Sequence, residues 1–199
     1  MNERGYAPGR ARREQIIAVA TQQFARAGFR SATVLEIAAA CGISRAGLLH
    51  HFPTKESLLE AVLARRDAED RERFRRNGSS TGDGLSILRG MIDLAEYNST
   101  LPGIVALYAV LSAEAGSRDH PAHDYFMLRY RRIRNGTARA LSRVRDAGLL
   151  REGLEPVATA LELTALMDGL QVQWLLDPTV DMAAALRCRI QQLLTVPLF

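Results

Sequence analysis

The chain has 199 residues, a net charge of +4 and 47% apolar residues, which is enough apolar content to bury a core and excludes a disordered chain. Two cysteines, Cys41 and Cys188, exclude a fold built on disulfides and are typical of a reducing compartment. No apolar run is long enough to cross a membrane and no secretory signal opens the chain, so we expect a cytoplasmic protein without a membrane partner.

The positive charge is concentrated near the N-terminus. Residues 1–55 contain eight arginines and lysines but three glutamates, whereas the remainder is close to neutral. This distribution favours a polyanion as the partner of the N-terminal segment, and the alternative is a basic tail that binds nothing. Residues 1–10 show no periodicity and predict an arm, with Arg4, Arg10, Arg12 and Arg13 available for phosphates or a minor groove.

The first predicted helix covers residues 11–27. Ile16, Ala20 and Phe24 recur at helical spacing and predict its buried stripe. Gly28 follows, and a glycine at this position is typical of a helix end.

Residues 33–52 predict two short helices joined by a tight corner. Thr33 and Glu36 have the spacing of a capping box, which starts the first helix. Gly42 predicts the corner, because a left-handed backbone conformation is least costly without a Cβ. Ser44 is a good N-cap for the second helix. The pattern indicates a helix-turn-helix, although any αα-corner of a bundle would show it too.

The second of these helices has small residues at its front end, as a helix that enters a major groove requires. Arg45 is the predicted base reader, since a guanidinium matches guanine in a bidentate pair, while Ala46 and Gly47 permit close approach. The predicted phosphate contacts, which position the protein without reading sequence, come from Thr33, Ser44, His50, His51 and Lys55.

A fourth helix begins after Thr54, its predicted N-cap, and continues to residue 76. Leu58, Leu59, Val62 and Leu63 predict its buried face. Beyond residue 64 the mixed charges of RRDAEDRERFRR predict a solvated helix face. The glycine- and serine-rich residues 77–84 predict a loop.

The rest of the chain predicts five more helices, over residues 85–98, 102–115, 121–146, 156–176 and 181–194. Each has an apolar face or is apolar on all sides, and proline, glycine or aspartate marks most of the boundaries. The sequence therefore predicts an all-α protein of about nine helices, with no strand and no repeat.

Residues 12–62 resemble the DNA-binding domain of the tetracycline-repressor (TetR) family of transcriptional regulators. The family usually has Tyr at the position of Leu49, where it touches a phosphate, and His50 is the candidate substitute here. The residues that match are Ala20, Phe24, Gly28, Thr33, Ile37, Ala38, Gly42, Ser44, Gly47, Leu48, His51, Phe52, Lys55 and Leu58.

The resemblance implies a helix-turn-helix DNA-binding domain over residues 1–53 and a helical ligand-binding and dimerisation domain over 54–199, joined by the helix at 54–76. It also implies a homodimer on a palindromic operator, paired through residues 156–194. Candidate interface residues are Leu161, Gly169, Leu186 and Ile190. The middle helices would enclose a small, largely apolar effector, with candidate wall residues Met91, Tyr97, Tyr108, Leu111, Phe126, Tyr130, Met167, Gln171 and Trp174.

By this interpretation the protein is a repressor that its effector releases from DNA, with no catalytic residues, metal or cofactor. Three alternatives stay open at this point: a regulator that activates, a regulator that senses oxidation through Cys41, and a helical metal-binding enzyme that uses His120 and His123. Neither histidine belongs to a recognised metal-binding motif, and a surface turn explains their spacing.

Overall fold

A computed structural model describes residues 6–76 and 83–199, and within these ranges the chain forms nine helices and no β-sheet, which confirms the all-α prediction. A single isolated bridge joins Leu150 to Leu194. None of the helices in this described part is both long and apolar enough to cross a membrane. The helices are α1 (Tyr6–Ser31), α2 (Val34–Ala40), α3 (Arg45–His51), α4 (Lys55–Arg76), α5 (Gly84–Asn98), α6 (Pro102–Glu114), α7 (His123–Asp146), α8 (Pro156–Leu176) and α9 (Met182–Leu193).

Helix α1 starts earlier than the sequence predicts. Residues 6–10 are helical rather than part of an irregular arm, and Pro8 is tolerated because the N–H groups of a first turn have no helical partner. Gly28 interrupts the helix as predicted, with φ of +78°. Arg4 and the predicted loop at 77–82 lie outside the described residues.

The first hydrophobic core joins α1–α4 to α6 and the start of α7. Phe24, Leu48 and Leu58 are fully buried in it, and Leu111 and Phe126 close it from the side of α6 and α7. The predicted buried face of α4 is confirmed, and it packs into this core. The N-terminal helices therefore rest directly on the C-terminal helices.

The crossing of α1 and α6 is close. A Cβ on Gly103 would lie 2.9 Å from the Ala25 Cβ, so the two helices touch backbone to side chain at this point. Farther along, the Arg30 Nε atom lies 3.0 Å from a Glu114 carboxylate oxygen. These two contacts join α6 to α1.

The second core lies between α5, α7, α8 and α9. Leu88, Leu141 and Leu163 are fully buried there, together with Leu186 and Ile190. The assignment of Leu186 and Ile190 to a subunit interface is therefore wrong, because both side chains fill the core of their own subunit. Leu161 and Gly169 are exposed, as an interface in an isolated chain would be.

Candidate nucleic-acid interface and buried cavity

Local hydrogen bonds build the helix-turn-helix from residues close in sequence. The Glu36 N–H donates to the Thr33 hydroxyl at 3.2 Å and the Thr33 N–H donates to the Glu36 carboxylate at 3.0 Å, which confirms the capping box. The hydrogen bonds from Thr33 hold the pKa of Glu36 below its usual range. Gly42 makes the corner with φ of +66°, and the Ser44 hydroxyl caps α3 by accepting from the Gly47 N–H at 3.0 Å.

Helix α3 presents one face to the core and another to solvent. Leu48 is fully buried, whereas Arg45, Ala46 and His50 are exposed. No residue in the described ranges forms an ion pair with the Arg45 guanidinium. The front end of α3 is therefore slim, cationic and accessible.

The predicted phosphate contacts are not equivalent in the structure. The Ser44 hydroxyl accepts a backbone N–H, which leaves its hydrogen available to a phosphate. The Thr33 hydroxyl instead donates to the Glu36 carboxylate at 2.7 Å, so its hydrogen is already used. The rings of His50 and His51 pack edge to face with centroids 5.6 Å apart, and His51 is half-buried.

The Lys55 side chain forms hydrogen bonds with the backbone of its own chain. Its ammonium donates to the backbone carbonyls of Arg30 at 3.0 Å and Ala32 at 2.9 Å. The same nitrogen lies 4.6 Å from the centroid of the Phe29 ring. Two of the three ammonium hydrogens are thus engaged, and they connect the first turn of α4 to the end of α1, while the phosphate contact of Lys55 stays a prediction.

Two arginines offered above for DNA also make contacts inside the protein. Arg12 donates to the Gln15 side chain at 2.8 Å and to the Cys41 carbonyl at 3.5 Å. The Arg13 guanidinium lies 4.7 Å from the centroid of the Phe52 ring, at the end of α3. These contacts hold α1 against the helix-turn-helix and fix the direction of α3.

A cavity of about 720 Å³ lies between α4, α5, α6, α7 and α8, within the usual size of a small-molecule site. The predicted wall residues Met91, Tyr108, Phe126, Tyr130, Met167 and Gln171 line it. Three others are not on its wall within the described part of the chain. Tyr97 lies under the guanidinium of Arg73 at 3.8 Å from its ring centroid, Leu111 fills the first core and Trp174 packs in the second.

The cavity also contains a charged network that the sequence interpretation missed. Asp67, 3% exposed, forms ion pairs with Arg129 and Arg132. Arg66, 7% exposed, pairs with Asp70 at 3.0 Å and donates to the Asn98 side chain at 2.8 Å. The predicted solvated face beyond residue 64 is therefore wrong for the positions that continue the register of the α4 leucines.

Burial sets the ionisation of this network. It raises the pKa of Asp70 to about 6, with the Arg66 guanidinium opposing the shift, and lowers the pKa of Arg129 to about 10. It likewise raises the pKa of Asp168 above its usual range and that of Tyr125 to about 12. The cavity is thus a polar, partly desolvated site in which a ligand charge would interact strongly.

The hydroxyls of Tyr108 and Tyr125 lie 3.1 Å apart, and both donate to the Leu63 carbonyl of α4. This carbonyl belongs to the middle of the helix, next to the charged network. The two tyrosines therefore connect α6 and α7 to α4 across the cavity wall.

The residues of the metal-binding and oxidation-sensing alternatives make ordinary structural contacts. His120 accepts from the Ala122 N–H at 3.2 Å, and the His123 Nδ1 atom lies 2.7 Å from the Ala115 carbonyl oxygen. In the described ranges, no three side chains of the metal-binding types come together. Cys41 is buried, and burial raises the pKa of its thiol, which leaves little reactive thiolate.

Two family descriptions match separate parts of the chain. Residues 16–62 match "Bacterial regulatory proteins, tetR family". Residues 105–195 match "BetI-type transcriptional repressor, C-terminal". The first match contains the whole helix-turn-helix, and the second contains α7–α9 with most of α6.

Similar proteins include regulators and solved structures. The HTH-type transcriptional repressor KstR2 of Rhodococcus jostii is 42% identical over 52 residues, which are 26% of each chain, so the chain aligns with about a quarter of the length of this relative. A structure titled as a complex of SmeT with triclosan has a TM-score of 0.80 at 23% identity, covering 95% of this chain and 94% of the other. A regulator from Saccharomonospora viridis in complex with choline has a TM-score of 0.78 at 22% identity, covering 92% and 98%.

Proposed function

The chain belongs to the tetR family of bacterial regulatory proteins, and from this premise we propose that it is a dimeric transcriptional repressor that a small-molecule effector releases from its operator DNA. The observation that carries the proposal is the accessible front end of α3 on a rigidly capped helix-turn-helix. Relatives such as KstR2 of Rhodococcus jostii are named as repressors, which supports the direction of control. Such a protein acts where the chromosome is, in the bacterial cytoplasm.

Arg45 reads base edges in this proposal, and Ala46 and Gly47 let α3 approach the groove floor. Ser44, His50 and His51 position the helix on the phosphates, which carry no sequence information themselves. Lys55, Arg12 and Arg13 support α3 indirectly, because their contacts hold α1, α3 and α4 together. This division between readers and supports follows the contacts each side chain makes.

The operator should be a near-palindrome, because one α3 reads few base pairs and two copies about 34 Å apart read twice as many. Helix α8 supports the dimer. It exposes four large apolar side chains on one face: Val157, Leu161, Val172 and Leu176 are exposed by 76%, 51%, 48% and 82%. A Cβ on Gly169 would meet nothing within 4 Å in its own chain, which leaves room for a partner helix there. We therefore assign this face of α8 to the subunit interface.

The cavity is the proposed effector site. The complexes of SmeT with triclosan and of the Saccharomonospora viridis regulator with choline have the same fold and support a small molecule as effector. Helix α4 begins at Lys55 under the helix-turn-helix, and its second half contributes Arg66, Asp67 and Asp70 to the cavity wall. At about 1.5 Å per residue its 22 residues span ~33 Å, so a small tilt at the cavity displaces the DNA-binding end.

An effector that binds better to the tilted arrangement shifts the population towards it. The two α3 helices then lose groove spacing, and affinity for the operator falls. Because linkage is reciprocal, the operator must weaken effector binding by the same factor.

Selection from a random DNA pool with the purified full-length chain tests DNA recognition directly. We expect enrichment of an inverted repeat with half-sites one helical turn apart. Arg45→Ala should then lower operator affinity by ~1–3 kcal/mol and relax one base position in each half-site. Failure to enrich any sequence, or an unchanged base preference in Arg45→Ala, would contradict the assignment.

Sedimentation equilibrium tests the dimer. We expect the mass of two chains at micromolar concentration, and the mass of one chain for Leu161→Glu, which places a charge on the apolar face of α8. Leu35→Glu is the matched control, because Leu35 is 65% exposed but lies on α2. A native chain that sediments as a monomer would remove the interface proposal.

A further inference from the structure

The wall of the cavity is strongly cationic. Among its lining residues are seven arginines and three aspartates, and no lysine, histidine or glutamate. The arginines are Arg66, Arg71, Arg75, Arg129, Arg132, Arg139 and Arg143, from α4 and α7. The sequence predicted a largely apolar effector, and the excess of arginines adds the sign of its charged group to that prediction.

The three carboxylates of the cavity already have partners. Asp67 is paired with Arg129 and Arg132. Asp70 lies 3.0 Å from Arg66, although its buried Oδ1 atom has no hydrogen-bond partner among the described residues. Asp168 accepts a hydrogen bond from the Tyr130 hydroxyl. A cationic ligand would therefore have to displace an existing partner before it could pair with Asp67 or Asp168.

Two exposed arginines of the cavity, in contrast, have no ion-pair partner in the described part of the chain. Arg71 of α4 and Arg139 of α7 line the cavity and are exposed, and neither forms an ion pair with any residue in the described ranges. Residues 77–82, which are not described, contain no aspartate or glutamate. Both α4 and α7 thus carry a cavity-lining arginine that has no ion-pair partner in the described part of the chain.

Apolar side chains also line the cavity, next to polar ones such as Asp168 and Gln171. Helices α5, α6 and α8 supply the apolar ones through Ile87, Met91, Ile104, Val105 and Met167. Pockets that combine a few fixed polar groups with such walls bind molecules that have a polar end and an apolar body.

We propose that the effector is an amphipathic anion, with a carboxylate head held between Arg71 and Arg139 and an apolar chain against α5, α6 and α8. The inference rests on the proposed effector role of the cavity and adds the charge and shape of the ligand. A head bridging α4 and α7 draws the second half of α4 towards α7, which gives the tilt that the release mechanism requires. Charge-assisted hydrogen bonds to guanidinium groups are among the stronger polar contacts available for this purpose.

Three probes with the same chain and different heads test the proposal: decanoate, decanamide and decyltrimethylammonium. Isothermal titration calorimetry with the full-length protein in the absence of DNA should show saturable binding of decanoate, at least about tenfold tighter than decanamide, equal to ~1.4 kcal/mol. Decyltrimethylammonium should bind more weakly than decanamide, and raising the salt concentration should weaken decanoate alone.

Arg71→Gln and Arg139→Gln should each weaken decanoate about tenfold and leave decanamide unchanged, since one charge-assisted contact of ~1.4 kcal/mol is lost in each. Arg134→Gln is the matched control: Arg134 is an exposed arginine on the same helix α7 and does not line the cavity. Decanoate should bind this variant like the native chain. Unchanged thermal melting of all three variants shows that they fold.

The proposal is overturned if decyltrimethylammonium binds as tightly as decanoate, if none of the three probes binds, or if Arg71→Gln and Arg139→Gln behave like Arg134→Gln. Because the titrations contain no DNA, such a failure leaves operator recognition standing. Conversely, decanoate binding that does not release the selected operator would refute the repressor mechanism and keep the ligand class.

Discussion

Replacing Lys55 by methionine separates a structural role for this residue from a DNA contact. Methionine keeps most of the apolar stem and removes the ammonium that bonds to the carbonyls of Arg30 and Ala32. A hydrogen bond from a charged donor contributes ~1.5–3 kcal/mol, and a cation–π contact adds ~0.5–1 kcal/mol at an exposed site. The carbonyl of the exposed Arg30 can bond to water in the variant, whereas Ala32 is 2% exposed, so we expect a net loss of about 2 kcal/mol.

For a chain of this size a loss of 1 kcal/mol lowers Tm by about 2–4 °C, so Lys55→Met should melt about 4–8 °C below the native protein. Circular dichroism measures the melting. The salt dependence of operator affinity supplies the second readout, because each phosphate contact contributes about 0.9 to the slope of log K against log salt. A supporting Lys55 leaves that slope unchanged, although affinity falls as the orientation of α3 relaxes.

Arg26→Gln is the charge-matched control, since Arg26 is on α1 and its guanidinium donates to the neighbouring Gln23 at 3.3 Å. Like Lys55→Met, this substitution removes one positive charge from the N-terminal helices α1–α4, and it should leave Tm nearly unchanged. A purely supporting role of Lys55 is refuted if Lys55→Met has the same Tm as the native protein while the slope of log K against log salt for operator binding falls by about 0.9. That combination is the signature of a lost phosphate contact.

Three further outcomes follow from the packing. Burial raises the pKa of Asp70 from 3.8 to about 6, so the stability that its protonated form contributes is complete below about pH 4 and is lost as pH rises through 6. Denaturant titrations should therefore show that the free energy of unfolding of Asp70→Asn gains on that of the native chain by at most ~3 kcal/mol between pH 4 and 7. Gly103→Ala should lower Tm because its Cβ would overlap α1, whereas Gly136→Ala, with nothing within 4 Å, should raise stability by ~0.5–1 kcal/mol. Iodoacetamide should label the exposed Cys188 and spare Cys41 in the native protein, as mass spectrometry would show; rapid labelling of Cys41 would revive the oxidation-sensing alternative.

The helix-turn-helix could be predicted from sequence because its determinants are local. The capping box joins Thr33 to a residue three positions on, Ser44 caps a helix through Gly47, and Gly42 requires only its own φ. Such contacts are decided within one turn of the chain. Leu48 and Phe52 are four residues apart and both are buried, and apolar residues at helical spacing are also a local pattern.

Roles that depend on neighbours distant in sequence could not be assigned in this way. Lys55 meets carbonyls 25 and 23 residues earlier, and Asp67 meets arginines 62 and 65 residues later. Leu186 and Ile190 are apolar whether a partner subunit or their own core covers them. Sequence gives the chemistry of these side chains, but only the tertiary arrangement decides which partner each one meets.

The buried charges of α4 are better explained by function than by stability. Removing two ions from water costs several kcal/mol, and apolar side chains of similar volume often stabilise a core as well or better. Arg66 and Asp67 nevertheless continue the register of Leu59 and Leu63, where leucine would pack. In the proposed mechanism, a carboxylate held by Arg71 and Arg139 joins the same two helices that the ion pairs of Asp67 with Arg129 and Arg132 already connect. The bound head therefore changes how α4 lies against α7. In that mechanism, the buried ion pairs, which contribute little to stability, connect the cavity to the helix that leads to the DNA-binding helices.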